Sequence, residues 1–246
     1  MRSKFQGVKN IIQFNQDKYF LGVFVFLISL ILSRVGLQNV FLVIASLVFL
    51  SILLSLLVSY WVYDCRDLYE LNYIPSSLEH LNILQIHAGF DEMKPTLEKK
   101  FPNSNFEIID FYNPKIHTEK SIAIARKKND KDGRAKPSNT DKLIYNDNHF
   151  DKIFLLFSAH EIRNDKERTL FFKEINRILK LDGEVYVSEH LRNLPNFFAY
   201  NIGFLHFISK SKWRKTFQEA DLSIIKEVKT TPFISNFILT KNGCSP

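Results

Sequence analysis

One stretch, from Asn82 to Asp110, constrains the fold of this chain more than any other. It reads as an apolar strand, a turn at Gly89, a short helix, and a second strand that ends on an acid. This order is typical of doubly wound α/β folds, which bind nucleotide-like cofactors at the carboxyl edge of the sheet. The stretch therefore predicts an α/β domain with a binding site near Gly89 and Asp110.

Strand and helix patterns alternate through the rest of the chain. Such alternation predicts a mostly parallel sheet with right-handed crossovers, flanked by helices. A turn is predicted at 181–183, and the charged segment 126–141 is predicted to be a solvated loop. The predicted strands are 82–86, 106–109, 151–157, 184–188, 222–228 and 233–240. The predicted helices are 93–100, 117–128, 166–179 and 210–220.

Two apolar segments, 19–37 and 40–63, precede this domain. About 20 apolar residues are needed to cross the roughly 30 Å of bilayer hydrocarbon. Because only a short loop near Arg34 joins the segments, 19–63 is predicted to form a two-helix transmembrane hairpin. The alternatives are a buried soluble hairpin and a cleaved signal peptide. The second is disfavoured because another long apolar segment follows and no small-residue cleavage site is seen.

The charges that flank the hairpin predict its orientation. Basic residues precede the first span and Arg66 follows the second, so the positive-inside rule places both ends in the cytoplasm. The predicted location is the cell inner membrane, as a multi-pass protein. Residues 1–18 form a predicted amphipathic segment on the cytoplasmic surface, 64–80 a linker, and 81–246 the α/β domain.

Composition excludes several classes of function. The net charge is +7, but bases and acids are interspersed, and no basic face with stacking aromatic residues is seen. This argues against a nucleic-acid partner and favours an anionic bilayer as the partner of the basic flanks. Cys65 and Cys244 are far apart, which argues against a disulfide framework and a structural zinc site.

Three later strings resemble the class I S-adenosylmethionine-dependent methyltransferases, in particular the branch that methylates quinones and related small molecules. They are similar to that branch's approach to the fourth strand, the end of that strand, and the helix, turn and fifth strand that follow. The strings are LIYNDNHFD at 143–151, FLLFSAHEIR at 154–163 and ILKLDGEVYVSEH at 178–190. The resemblance covers about 81–241 and implies a Rossmann-like methyltransferase fold with S-adenosylmethionine as cofactor.

The glycine-rich turn of that family is degenerate in this chain. The usual run is close to LDIGCGTG, whereas residues 84–91 read LQIHAGFD, and only Gly89 keeps a family glycine. Asp110 stands where the family has the acid that binds the ribose hydroxyls. The resemblance thus implies six cofactor-binding residues, which are His87, Ala88, Gly89, Phe90, Asp110 and Phe111.

Polar residues at the ends of the fourth and fifth strands are the candidates for chemistry. Methyl transfer mainly requires alignment of the acceptor, and a base only where the acceptor is a hydroxyl or carbon acid. Neutral histidine suits that role, and arginine could hold an acidic or phenolic acceptor. A capped turn and an ion-paired loop are equally good interpretations of the same residues. The catalytic candidates are His160, Glu161, Arg163, Glu189 and His190.

Three functions stay open. The leading one is a membrane-anchored methyltransferase that acts on a hydrophobic small molecule or lipid-like acceptor, with the aromatic segment 194–208 as a lid that faces the bilayer. The second is a degenerate, non-catalytic methyltransferase-fold membrane protein used for interaction, as the lost glycines indicate. The third is a metal-dependent enzyme that uses strand-end His and Glu residues. No HExxH or close ligand spacing supports it, so no metal site is predicted.

Overall fold

The computed structural model describes residues 4–35, 38–89, 91–128, 133 and 135–243. Phe90, Cys244, positions 36–37 of the hairpin loop predicted at about 34–39, and positions 129–132 and 134 of the charged segment lie outside this description. The chain forms two compact units. One contains the residues up to Leu68 together with Leu194–Phe204, and the other contains Tyr69–Asn193 and the chain from Leu205 onward.

Helices and strands alternate after an all-helical start. The helices are α1 (Gln6–Phe14), α2 (Gln16–Leu32), α3 (Gln38–Tyr60), α4 (Lys94–Lys100), α5 (Lys120–Lys128), α6 (Asp165–Ile178), α7 (Leu194–Tyr200) and α8 (Lys210–Glu219). The strands are β1 (Asn82–His87), β2 (Asn105–Asp110), β3 (Lys136–Pro137), β4 (Phe150–Leu156), β5 (Leu179–His190), β6 (Leu222–Thr231) and β7 (Ile234–Lys241).

The helical unit is built on α2 and α3, which are apolar and pack against each other. A hydrogen bond of 3.0 Å joins the hydroxyls of Tyr19 and Ser55 across this contact. The helix at Gln38–Glu70, with a mean hydropathy of 3.0 and only 6% of its apolar window buried, is long and apolar enough to cross a membrane. α1 and α2 meet at 79° and reach that length only together. One spanning helix is thus supported by length and composition, and the two-helix hairpin stays a prediction.

The α/β unit contains a seven-stranded sheet in the order β3-β2-β1-β4-β5-β7-β6. β1 pairs in parallel with β2 and β4, and β5 extends the parallel set. The last two strands are antiparallel, because β6 and β7 form a hairpin that adds β7 to the edge of β5. The predicted mostly parallel α/β sheet is confirmed. Its central strands are buried on both faces, as their continuous apolar sequences require.

Two segments of this unit differ from the sequence prediction. The turn predicted at 181–183 is part of β5, where the register against β4 shifts between Phe150 and Lys152 and the extra residues form a bulge. The charged segment is not wholly a loop either. Its start belongs to α5, as the predicted helix 117–128 implies, whereas Lys136–Pro137 forms the short edge strand β3, where proline is tolerated.

The predicted linker also differs, since much of it packs within the α/β unit. Leu71 and Ile74 are buried, and the Tyr73 hydroxyl lies 2.5 Å from that of Ser188 on β5. Lys100 donates from its Nζ to the main-chain oxygen of Ile74 at 3.0 Å. The α/β unit therefore begins near Tyr69 rather than at 81.

The parallel strands end at one edge of the sheet, and this edge carries the polar residues of interest. His87 ends β1, Asp110 ends β2, and His190 ends β5. A short 3-10 turn at Ala159–Glu161 follows β4. Because carboxyl ends of parallel strands meet at one edge, residues from distant parts of the sequence lie close together there.

Candidate functional site

The turn after β1 depends on Gly89. Its φ is +90°, a backbone conformation that side-chain-bearing residues rarely adopt. The Gly89 N–H donates to Nδ1 of His87 at 2.8 Å, so the imidazole caps the turn that it begins. His87 thus has a structural role here, while Gly89 leaves the backbone without a side chain. Phe90, the next residue, lies outside the described residues.

Gln85 and Asp91, which the resemblance sets opposite an acid and a glycine of the LDIGCGTG run, bond to each other. The Gln85 amide donates to Asp91 Oδ2 at 2.6 Å, and Asp91 Oδ1 accepts from the Met93 N–H at 2.8 Å. Burial raises the pKa of Asp91, and the Met93 N–H opposes that rise. The exchanged pair therefore fixes the chain as it enters α4.

Asp110 makes two hydrogen bonds at the end of β2. Its Oδ1 accepts from the Tyr112 N–H at 3.0 Å, and its Oδ2 accepts from Arg126 Nη1 at 2.6 Å. The same nitrogen donates to the Ala88 oxygen at 2.8 Å, and Arg126 Cζ lies 4.3 Å from the centre of the Tyr112 ring. Arg126 therefore links the turn after β1 to the acid after β2.

Arg126 is the site residue that the sequence prediction missed. The sequence predicts this residue at the end of the helix 117–128, where the solvated segment 126–141 begins. Its side chain is only 21% exposed, and that of Asp110 is 20% exposed. The one available signal was its position near the end of a helix that follows an acid-ending strand.

Phe111 does not fit its predicted role. Its side chain is buried, meets His117 edge to face, and packs against Phe171 in the core. Its N–H donates to the His87 oxygen at 3.1 Å, which extends the pairing of β1 and β2. Neighbouring side chains of an extended segment point in opposite directions, so Phe111 faces the core when Asp110 faces the site.

Three of the five catalytic candidates form one cluster. His160 Nδ1 lies 2.7 Å from Glu189 Oε2, and the His160 main-chain N–H donates to Glu189 Oε1 at 3.1 Å. On its other side, His160 Nε2 lies 3.4 Å from Glu161 Oε1. Ser158 donates to the Ile86 oxygen at 3.0 Å and so holds this turn against the end of β1. Among the described residues, Glu161 Oε2 is buried and has no hydrogen-bond partner.

The electrostatics of this cluster favour a charged histidine. Burial lowers the pKa of His160, but the carboxylates of Glu189 and Glu161 outweigh that effect and raise it well above the usual value. Both ring nitrogens face carboxylate oxygens, which suits an imidazolium that donates from each. The geometry therefore favours a protonated His160 over the neutral base that the sequence suggested.

Arg163 and His190 lie in other contacts. Arg163 pairs with Glu119, and burial together with the nearby Arg192 lowers its pKa. His190 Nδ1 lies 3.1 Å from the Phe233 oxygen, and its ring stacks on Phe207 with the centres 5.0 Å apart. Both have structural partners, so the structure does not join them to the His160 cluster.

Two further features bear on where a ligand could bind. No group of three or more His, Cys, Asp or Glu residues suited to a metal ion occurs in the described part of the chain. A cleft of about 450 Å³ is lined by Asn82, Asn105 and His149, among others. These residues lie at the starts of β1, β2 and β4, so the cleft is at the opposite edge from Gly89 and Asp110.

Comparisons with known proteins identify the fold of this unit. Residues 117–187 match a family described as a methyltransferase domain. A curated protein of Bacillus subtilis, named "Putative methyltransferase YrhH", is 27% identical over 110 residues, which are 45% of this chain and 58% of that protein. The chain thus matches a little over half of the length of this relative.

A solved structure of a SAM-dependent methyltransferase from Aquifex aeolicus superimposes with a TM-score of 0.50 at 18% identity. The match covers 66% of this chain and 84% of that one. The predicted Rossmann-like methyltransferase fold is therefore confirmed for the α/β unit. The family match begins after Gly89 and Asp110 but includes the His160 turn and most of β5.

Proposed function

We propose that this protein is an S-adenosylmethionine-dependent methyltransferase. The observation that carries the proposal is the placement of Asp110 beside the Gly89 turn, at the carboxyl edge of a methyltransferase-type sheet. The methyltransferase domain match and the YrhH similarity support the same activity. Fold alone does not establish function, so the argument depends on the residues of the site.

The residues present fit this cofactor. The Gly89 turn offers main-chain groups that carry no side chain of their own, and Asp110 offers carboxylate oxygens that suit the two hydroxyls of a ribose. We assign cofactor binding to the Ala88–Gly89 turn and Asp110, with His87 as the cap of the turn. When bound, the cofactor supplies an electrophilic methyl group, and the protein orients the acceptor toward it.

Glu161 is the residue we assign to the acceptor. Both oxygens of Glu189 are occupied by His160, and both ring nitrogens of His160 face carboxylates. Glu161 Oε2 is the one oxygen of this cluster without a hydrogen-bond partner among the described residues. It suits an acceptor that presents a hydroxyl or amine hydrogen, whose proton Glu161 would take. His160 Nε2, 3.4 Å from Glu161 Oε1, holds the carboxyl group in place.

Membrane anchoring and an apolar acceptor are further parts of the proposal. α7 and the residues after it belong to the helical unit, and Asn201 donates to the Ser51 hydroxyl at 2.7 Å near the middle of α3. Ala199 is buried, whereas Leu194 and Ile202 are exposed by 71% and 73%. An apolar surface of this kind next to a helix that could span a bilayer supports contact with lipid and a lipophilic acceptor.

A second candidate function is a non-catalytic methyltransferase-fold membrane protein. The observation that favours it is the Arg126–Asp110 ion pair, which occupies the acid expected to bind ribose. In a non-catalytic protein this pair would be permanent. The two functions therefore differ in whether Arg126 releases Asp110 when the cofactor binds.

Calorimetric titration of the full-length protein in detergent with S-adenosylmethionine and S-adenosylhomocysteine tests the proposal. We expect binding of both ligands. Asp110→Ala should weaken it about 10- to 100-fold, because hydrogen bonds to a charged group contribute about 1.5–3 kcal/mol. Asp141→Ala, which changes an exposed acid, is the matched control and should bind as the wild type does. No binding to the wild type or the control at millimolar ligand would favour the non-catalytic alternative.

A further inference from the structure

The Arg126 guanidinium lies against the main chain at Gly89. A Cβ atom on Gly89 would lie 1.6 Å from Arg126 Nη1 and 2.4 Å from its Cζ. The guanidinium therefore occupies the space that a side chain at position 89 would take. The same group bonds Ala88 and Asp110 and stacks on Tyr112. It thus fills the volume between the turn and the acid.

In this position Arg126 occupies the carboxylate and the space that the ribose of the cofactor would use. Asp110 Oδ1 is bound to the Tyr112 N–H, which is fixed by the main chain, and Oδ2 is bound to Arg126. A carboxylate oxygen can accept more than one hydrogen bond, so the obstacle to a ribose is the volume that the guanidinium fills between Gly89 and Oδ2. A ribose hydroxyl that approaches Oδ2 from that side must displace the guanidinium.

Arg126 is also the partner of Asp110 that a ligand could replace. Its side chain is about one-fifth exposed, so solvent reaches the pair and screens part of its attraction. A long side chain can move its charged head toward solvent while its stem stays packed. Release of Asp110 by Arg126 therefore needs a rotation of one side chain and no movement of the sheet.

We propose that Arg126 is an affinity-determining residue of the cofactor site, which competes with the cofactor ribose for Asp110. The inference rests on the proposed function. The measured affinity is then the intrinsic affinity reduced by the fraction of molecules in which Arg126 has released the acid. Arg126 therefore lowers the affinity for the cofactor, although it is part of the cofactor site.

The test is calorimetric titration of full-length protein in detergent with S-adenosylhomocysteine. Arg126→Met keeps most of the aliphatic stem and removes the guanidinium, and Lys127→Met changes an exposed cation on the same helix. We expect Arg126→Met to bind about tenfold more tightly than the wild type, and Lys127→Met to bind equally. Equal or weaker binding by Arg126→Met would overturn the inference. Arg126→Ala, measured in the same way, replaces Arg126→Met if that variant does not fold.

A double-mutant cycle tests whether Asp110 is the contested group. In the Asp110→Ala background, Arg126→Met should give little further gain, since there is no carboxylate to compete for. An undiminished tenfold gain in that background would overturn competition for Asp110. Absence of binding in every variant would instead overturn the proposed function. Equal affinity of the wild type and Arg126→Met would overturn this inference alone.

Discussion

The two polar clusters at the carboxyl edge of the sheet hold their charges in different ways. The Asp110–Arg126 pair is about one-fifth exposed and bonds through a single nitrogen of the arginine. The Glu189 side chain is 1% exposed and both of its oxygens bond to His160. One edge of the sheet thus holds a partly solvated ion pair and a buried one. The first suits a ligand that must enter, and the second suits the shaping of a site.

Glu189→Ala should have the largest effect, because it breaks the fixed pair. It leaves the buried His160 without its nearest counter-charge, and removal of one partner of a buried ion pair typically costs about 3–5 kcal/mol. Urea unfolding of the protein in detergent measures the change in the free energy of unfolding. Asp141→Ala is the control and should change it by less than about 0.5 kcal/mol. A loss under 1 kcal/mol for Glu189→Ala would show that the pair is not fixed.

A pH series further tests the His160–Glu189 pair. The raised pKa of His160 means that the folded state holds its proton more tightly than the unfolded chain does. This stabilisation is fully present below about pH 6.5, the ordinary histidine pKa, and is lost as pH rises through the higher folded-state pKa. The stability lost in His160→Gln should therefore shrink as pH rises above about 6.5. The effect should be smaller than that of Glu189→Ala, because glutamine can still donate one hydrogen bond to Glu189.

His80 provides the control for that series. It is an exposed histidine of the same unit, and His80→Gln measured over the same pH range gives the difference caused by loss of an exposed imidazole. If the stability lost in His160→Gln grows with pH, a protonated His160 is contradicted and the neutral base predicted from the sequence is supported.

Arg126→Met should have the smallest effect on stability. Because the Asp110–Arg126 pair is partly solvated, its removal should cost less than about 1 kcal/mol in urea unfolding. This small cost would accompany the affinity gain proposed above, so stability and binding would change independently. A loss of free energy of unfolding as large as that of Glu189→Ala would show that the Asp110–Arg126 pair is held as firmly as the His160–Glu189 pair.

The fold was predictable because its signals are local. The order of β1, Gly89, α4, β2 and Asp110 follows from apolar runs, one glycine and an acid, which stand close together in the sequence. The pairing of the turn after β4 with the end of β5 was also within reach, since neighbouring parallel strands end at one edge. Prediction failed at Leu181–Gly183, because a bulge in a strand and a turn between elements share the same glycine-containing sequence.

The chemistry of the site was less predictable because it depends on distances. Nothing in the sequence around His160 says that two carboxylates lie within 3.4 Å of its ring nitrogens, and this geometry decides its protonation. Arg126 was missed for a similar reason. A charged run suggests solvent, and only the bonds of Arg126 to the Ala88 oxygen and to Asp110 show that this side chain lies in the site.

The membership of Leu194–Phe204 in the helical unit has a practical consequence for truncation. This segment lies between β5 and α8 in the sequence, yet it packs with α3, where Asn201 bonds to Ser51. A fragment that starts at Tyr69 lacks α3 and so leaves Ala199 and Asn201 without the surface that covers them. A soluble form for crystallisation therefore needs two edits, a new start at Tyr69 and a short polar replacement for Leu194–Phe204.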